Sequence, residues 1–352
     1  MANHPDIDIA WVTLNRACNL RCRWCYATGT GYGAGDDIPF ELFRKILDLV
    51  CELGVRKVTL TGGEPTIYPR VLEAVRYCKA RGLDVTMPTN GLAFASRDCL
   101  DQFFRAGVDR IGMSVKGHDR ESHINVTGVD CYDNVVKAIG NLAHQKDIEF
   151  VVLTVVTPEN KHHIADVLRM AKDAGASAFA LLPYRDFGCL DGGGELYCRP
   201  GDRPYVVELA DFFESHFVEL KNITEGLIQL EHTLPLCLWD PAFTDMLDER
   251  HWLSGPCQLH RHDGLIFDTE GYVIPCNAMP DIRLGRLYED FWDCESFWEF
   301  WSSPEVADRF SIMSSAPDGR CDSCGMFERC RGGCVSNWLN FSFSSVITPH
   351  IS

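Results

Sequence analysis

Three cysteines, Cys18, Cys22 and Cys25, stand at Cys-x3-Cys-x2-Cys spacing directly after an apolar, strand-like run. Thiolates are the ligands of soft metal centres, and iron–sulfur clusters commonly take four of them. Structural zinc closes its shell with four ligands, usually in Cys-x2-Cys pairs, whereas a loop of three leaves one position open. The spacing therefore implies a cluster with one iron free to bind something else.

A second series lies towards the other end: Cys257, then Gly271-x4-Cys276, then Cys321-x2-Cys324-x5-Cys330-x3-Cys334. Nine of the 17 cysteines are thus metal-ligand candidates. The odd count and the lack of a secretion signal argue against a complete disulfide framework. Cys51, Cys78 and Cys99 read as helical core residues, since a reduced cysteine behaves as a small apolar side chain.

The elements that position these residues are legible in the patterning. Short β-rich runs at 10–15, 57–61, 83–88, 110–115, 149–156 and 178–183 alternate with amphipathic stretches that begin near Pro39, Pro69, Arg97, Tyr132 and Asn160. Gly54, Gly82, Gly107 and Gly175 follow as helix stops. Repeated β-α units imply a parallel sheet, and six of them suffice for a partial or a complete barrel. Chemistry in such folds collects at the carboxyl ends of strands. The cysteine loop follows the first strand, Gly62-Gly63-Glu64-Pro65 closes the second, Asn90-Gly91 the third, and Ser114 with Lys116 the fourth.

After Tyr184 the pattern breaks into a Gly-rich stretch, Gly188 to Gly194, followed by a helix over about 203–221. From Cys257 onward, dense Cys, Gly and Trp point to a part organised by metal rather than by a hydrophobic core. The expected fold class is α/β, a partial (β/α)6 TIM-like barrel over residues 8–190. A bridging segment over 191–250 and a small cysteine-rich iron–sulfur domain over 251–345 would follow.

The balance of 33 basic against 50 acidic residues, net −17, argues against nucleic acid or an anionic membrane surface as partner. A cationic or neutral substrate is easier to accommodate. No run of about 18 apolar residues occurs, so a cytoplasmic protein is expected.

In motif order the chain resembles the radical S-adenosylmethionine (SAM) superfamily, with a C-terminal extension of the SPASM type. The resemblance implies that Cys18, Cys22 and Cys25 hold a [4Fe–4S] cluster whose open iron chelates SAM. Reductive cleavage would then yield a 5′-deoxyadenosyl radical that abstracts hydrogen. Trp24, Gly62, Gly63, Glu64, Asn90 and Ser114 match family positions that contact SAM, with Glu64 accepting from the SAM ammonium. Cys257, Cys276 and Cys334 would serve one auxiliary [4Fe–4S] cluster and Cys321, Cys324 and Cys330 another, giving one or two in all. The implied electron donor is a flavodoxin or ferredoxin.

The chain departs from the family pattern in several places. Where relatives carry an acidic residue after the fourth strand, this chain has Lys116, whose cation could pair with the SAM carboxylate. Each auxiliary cluster usually has a fourth cysteine, but none follows Cys334 and none lies shortly before Cys257. His350, or an Asn or Asp, could close the distal cluster, or it stays open. Cys237 could serve the proximal cluster, or that cluster presents an open iron. Cys237, like Cys189 and Cys198, is also a candidate hydrogen-atom donor. Sulfatase-maturing relatives follow the Gly-x4-Cys cysteine with an Asp base, and this chain has Asn277, which cannot accept that proton.

The expected activity is post-translational modification of a ribosomally made peptide: cross-link, epimerisation or oxidation. The first strand starts near residue 10, so a leader-binding domain is absent or encoded separately. The alternative is a radical SAM dehydrogenase or epimerase acting on a sugar or aminoglycoside-type small molecule. An electron-transfer protein would need the cysteines but not Gly62-Gly63-Glu64, and a zinc-stabilised module would explain neither.

Overall fold

The computed structural model describes residues 6–25, 27, 36–185, 204–280 and 282–347. Six strands pair in sequence order, each parallel to the next: β1 (Ile9–Thr13), β2 (Lys57–Thr61), β3 (Asp84–Thr89), β4 (Arg110–Ser114), β5 (Glu149–Val156) and β6 (Phe179–Pro183). Between them run α1 (Phe40–Glu52), α2 (Val71–Lys79), α3 (Arg97–Ala106), α4 (Arg120–Thr127), α5 (Tyr132–Ala143) and α6 (Ile164–Asp173). This is the expected α/β architecture. The sheet runs from β10 to β7 with β1 inside it and, among the described residues, does not close on itself, as in a partial barrel; a single parallel bridge to Leu253 flanks Leu230 at the β7 edge.

Local rules account for the helices. On α1, Phe43, Ile46, Leu47 and Val50 repeat at helical spacing and are fully buried, each contributing roughly 1.5–3 kcal/mol. The Ser96 hydroxyl caps α3 by accepting the Cys99 N–H at 3.3 Å. Gly54, Gly82, Gly107 and Gly175 all have positive φ, from 74° to 108°, as helix-ending glycines require. Pro39 stands at the N-cap of α1 rather than inside its first turn, and Pro69 precedes the Arg70 cap of α2.

The short α4 was not among the expected helices. It buries only His123 and Thr127, so it carries almost no apolar stripe. Its signal was the Asp119-x-x-Ser122 capping box, closed at the other end by Gly128 at φ 69°.

Beyond β6 the chain continues the same sheet. After α7 (Tyr205–Ile223), β7 (Ile228–Leu230) pairs parallel to β6. The chain then forms α8 (Pro241–Glu249) and α9 (Gln258–Arg261), and β8 (Gly264–Phe267) adds parallel to the free side of β1. Two short antiparallel strands, β9 (Tyr272–Val273) and β10 (Gly285–Arg286), finish that edge. The first stretch of the cysteine-rich part is therefore hydrogen-bonded to the strand that leads into the first cysteine loop.

The expectation that this part lacks an apolar core needs correction. Phe291, α10 (Cys294–Trp301) and α11 (Pro304–Ser314) form an aromatic cluster, with Phe297 stacked on Trp301 at 5.6 Å and Trp301 edge-on to Phe310 at 5.1 Å. Phe297, Phe300 and Trp301 share one helix face, a spacing obscured in the sequence by interleaved acidic and polar residues.

Candidate active site

The cysteine loop leaves β1 and is held on two sides. On one side it extends the β1–β2 ladder: Leu14 N–H donates to Thr61 O at 2.7 Å, Gly63 N–H to Asn15 O at 2.9 Å, and Glu64 N–H to Ala17 O at 2.8 Å. Asn15 Nδ2 returns a bond to Glu64 O at 3.0 Å. On the other side, Arg21 and Arg23 N–H donate to Thr127 and Val126 O at the end of α4, at 3.0 and 3.1 Å.

This packing explains Gly62 and Gly63. A Cβ at Gly62 would lie 2.1 Å from Asn15 Oδ1, and one at Gly63 would lie 2.3 and 2.4 Å from the Arg16 and Ala17 carbonyl oxygens. The close approach these glycines allow is to the cysteine loop's own backbone.

Glu64 is buried and heavily engaged. Its Oε1 accepts from Thr66 N at 3.1 Å, Thr66 Oγ1 at 2.5 Å and Thr89 Oγ1 at 2.6 Å, and its Oε2 accepts from Asn90 N at 2.8 Å. The carboxylate thus clamps the ends of β2 and β3 together. Oε2, with one donor, retains an acceptor position for a further partner. Asn90 is also committed: its Nδ2 donates to Asn19 Oδ1 at 2.6 Å, and its Oδ1 accepts from Leu92 N at 3.0 Å. Trp24 is half-buried against the core, and Ser114 ends β4 half-buried.

Burial pushes the Cys18 thiol up to about 11, with Glu64, Cys25 and Cys22 adding to the rise against a hydrogen bond from Leu20 N–H at 3.4 Å. Burial also raises Cys22, and the Lys116 ammonium pulls it back. Lys116 therefore lies within electrostatic reach of Cys22, and among the described residues it has no carboxylate at ion-pair distance.

The C-terminal cysteines form two groups. Cys257, Cys276 and Cys334 lie within electrostatic reach of Arg185, just past β6. Burial lowers the tendency of this guanidinium to stay charged, but Cys334, Glu231, Cys276 and Cys257 outweigh it and hold its pKa above the ordinary value. In the other group, Cys321, Cys324 and Cys330 lie within electrostatic reach of Cys237. Cys237 thus neighbours these three, the distal group, rather than the proximal one expected from the sequence. Cys189, Cys198 and His350 lie outside the described residues.

These surroundings suit metal-bound thiolates. Cys18 accepts from Leu20 N–H, Cys330 from Leu236 N–H at 3.2 Å, and Cys334 from the Ser336 hydroxyl at 3.2 Å. Donors aimed at sulfur favour its charged form. A single tetrahedral zinc with Zn–S of about 2.3 Å would draw sulfurs to within roughly 4 Å of one another. Among the described residues no three cysteine sulfurs gather within 4.8 Å.

Sequence reasoning missed several residues here. Asn15 and Asn19, polar amides flanking Cys18, lock the loop, and their proximity to the motif was the available signal. Asp268, at the end of β8, is buried. Its Oδ1 accepts from Glu270 and Tyr272 N–H, both at 2.9 Å, while Oδ2 lies 3.6 Å from Arg16. Burial raises the Asp268 pKa. Asn15, Arg16, Gly62, Gly63, Asp268 and Asn277 line one small cavity. Only the pairing of β8 with β1 brings Asp268 to Arg16.

Comparison with known proteins agrees with this construction. The description of the radical SAM superfamily matches residues 12–171. An AdoMet-dependent heme synthase of Methanosarcina barkeri is 25% identical over 347 residues, covering 94% of this chain and 92% of that one. A "Probable GTP 3',8-cyclase" of Saccharolobus islandicus is 30% identical over 229 residues, covering 64% and 70%. The crystal structure of Streptococcus suis SuiB bound to precursor peptide SuiA superposes with a TM-score of 0.71 at 16% identity, covering 99% of this chain and 75% of that one, a likeness of fold. With the matched segment carrying the cysteine loop and the glycines packed on it, the chain belongs to the radical SAM superfamily and is an enzyme.

Proposed function

We propose that this enzyme modifies a ribosomally made peptide, beginning with hydrogen abstraction from a carbon atom. The observation that supports a peptide is the likeness in fold, over 99% of the chain, to a structure bound to its precursor peptide. When bound, the [4Fe–4S] cluster and SAM of this superfamily supply a 5′-deoxyadenosyl radical by one-electron reductive cleavage.

The chain's own residues prepare the site. Cys18, Cys22 and Cys25 would hold the cluster, and the backbone ladder to Gly63 and Glu64 fixes the loop that carries them. Glu64 Oε2 can accept from the SAM ammonium and Lys116 can pair with its carboxylate, while Trp24 offers an apolar face. Arg16, Asp268 and Asn277 present polar groups beside Gly62 and Gly63 for orienting substrate. Cys257, Cys276 and Cys334, and separately Cys321, Cys324 and Cys330, would bind auxiliary clusters able to accept an electron from substrate. A flavodoxin or ferredoxin would deliver electrons, and a separate protein would bind a peptide leader. Among the described residues no helix is long and apolar enough to cross a membrane.

A small-molecule substrate is the second reading, favoured by the end-to-end match to the heme synthase. The net charge of −17 suits a cationic aminoglycoside better than a nucleoside triphosphate.

Anaerobic turnover with dithionite and SAM decides between them. The peptide reading predicts 5′-deoxyadenosine together with a mass change in a precursor peptide encoded beside the gene. Formation of 5′-deoxyadenosine with only a small molecule altered overturns it.

A further inference from the structure

The segment from Thr233 to Trp239 is built against the stretch from Cys330 to Asn337. Thr233 O accepts from Cys334 N–H at 2.9 Å and from Asn337 Nδ2 at 2.8 Å. Leu236 N–H donates to Cys330 Sγ at 3.2 Å. Gly333, at φ 72°, lies so close that a Cβ there would stand 2.5 Å from Thr233 O.

Within this segment Leu236, Leu238 and Trp239 are buried, and the Trp239 indole N–H is tied to Ala210 O at 3.0 Å. Cys237 alone is exposed. The bond from the adjacent Leu236 N–H to Cys330 Sγ sets Cys237 beside the distal cysteines, within electrostatic reach of Cys330, Cys321 and Cys324.

We propose that Cys237 is the fourth ligand of the distal auxiliary cluster, completing a four-thiolate set with Cys321, Cys324 and Cys330 from a position upstream of the whole C-terminal motif. This rests on the reading that these cysteines hold a cluster. Binding it costs each thiol a proton and requires no ligand after Cys334. Cys237 then has no hydrogen atom to give a substrate radical. Cys324 is exposed too, so a cluster held here lies at the surface, within reach of an external electron carrier.

Differential alkylation of the anaerobically reconstituted enzyme tests the assignment without altering the chain. With clusters in place, iodoacetamide labelling of Cys237 should fall at least about tenfold relative to protein stripped of iron, since a coordinated thiolate is withdrawn from reaction. Cys321, Cys324 and Cys330 should be protected in parallel, and Cys294, which belongs to neither group, should label equally in both states. Labelling of Cys237 while the other three stay protected overturns the inference and leaves the cluster reading intact. Labelling of all four overturns both.

Iron counting gives a second measurement. In a Cys18→Ala, Cys22→Ala, Cys25→Ala background, adding Cys237→Ala should lower iron about twofold, from roughly eight to four per chain, or convert one cluster to a three-iron form seen by electron paramagnetic resonance. Unchanged iron without the three-iron signal overturns the assignment.

Discussion

Asn90 donates from Nδ2 to Oδ1 of Asn19 at 2.6 Å, and its backbone N–H donates to Glu64 Oε2 at 2.8 Å. One residue at the end of β3 thus joins the interior of the cysteine loop to the carboxylate that closes β2. The loop is fixed from beneath by side chains before any ligand enters.

Replacing Asn90 by Ala should remove this tie and leave Asn19 Oδ1 and the Leu92 N–H without their partner. The expected cost is about 0.5–1.5 kcal/mol, because both hydrogen bonds are only partly buried. Urea unfolding of the Asn90→Ala and Asn19→Ala variants and of the double variant measures it. Fully additive losses would show that the two side chains do not act as a pair.

Gly63→Ala should prevent stable closure of the loop, since the new methyl meets two backbone carbonyls that cannot rotate away. Gly140→Ala is the contrasting change. Gly140 lies inside α5, its Cβ would meet only Ala174 O at 3.6 Å, and helix propensity should stabilise the variant by roughly 0.5–1 kcal/mol. Thermal melts and iron content of the two variants should diverge; equal behaviour would contradict the close-approach argument.

Lys116→Ala should weaken SAM binding about tenfold, and Lys116→Arg should restore part of it through the retained charge. Equilibrium dialysis with labelled SAM reads this directly. Unchanged affinity would assign Lys116 to another role, such as offsetting the negative charge of Cys22.

His123 makes stability depend on acid. Burial, and secondarily Lys116, depress its pKa from 6.5 to about 4, and its Nε2 lies 3.2 Å from Cys131 Sγ. Below pH 6.5 the unfolded chain takes up a proton that the folded chain refuses until about pH 4. Stability is therefore fully present above pH 6.5 and lost as pH falls through that window, by about 3 kcal/mol at most. His123→Gln should flatten the difference when both proteins are unfolded in urea at pH 7 and pH 5; parallel profiles would refute it.

Asp268→Asn keeps an oxygen for the Glu270 and Tyr272 N–H groups and removes the charge facing Arg16, so it should fold like the parent while altering substrate turnover. Asp268→Ala should lose the turn between β8 and β9, at about 2 kcal/mol. Equal stability of the two variants would show that the turn does not depend on this side chain.

Strand positions were readable because each β-rich run ends at a glycine or a polar motif and each following helix carries an apolar stripe. Where the stripe was missing, as in α4, so was the prediction. Short strands such as β7 and β8 also lack enough residues to show a period, and they exist because β6 and β1 offer free edges for them to pair with. Gly62 and Gly63 were legible as part of the second loop's motif, whereas their packing on Asn15, Arg16 and Ala17 was not. A sequence does not state which backbone comes near.

The amino-acid sequence alone determined the ligand types, their spacing and the order of the motifs, because these are covalent and local. Tertiary structure decided the groupings. Cys237 lies within electrostatic reach of Cys321, Cys324 and Cys330, Arg185 within reach of Cys257, Cys276 and Cys334, and Asp268 stands beside Arg16. Each of these juxtapositions joins residues from distant parts of the chain. Sheet pairing and the burial of Leu236, Leu238 and Trp239 bring them together, and those forces act only once the chain has folded.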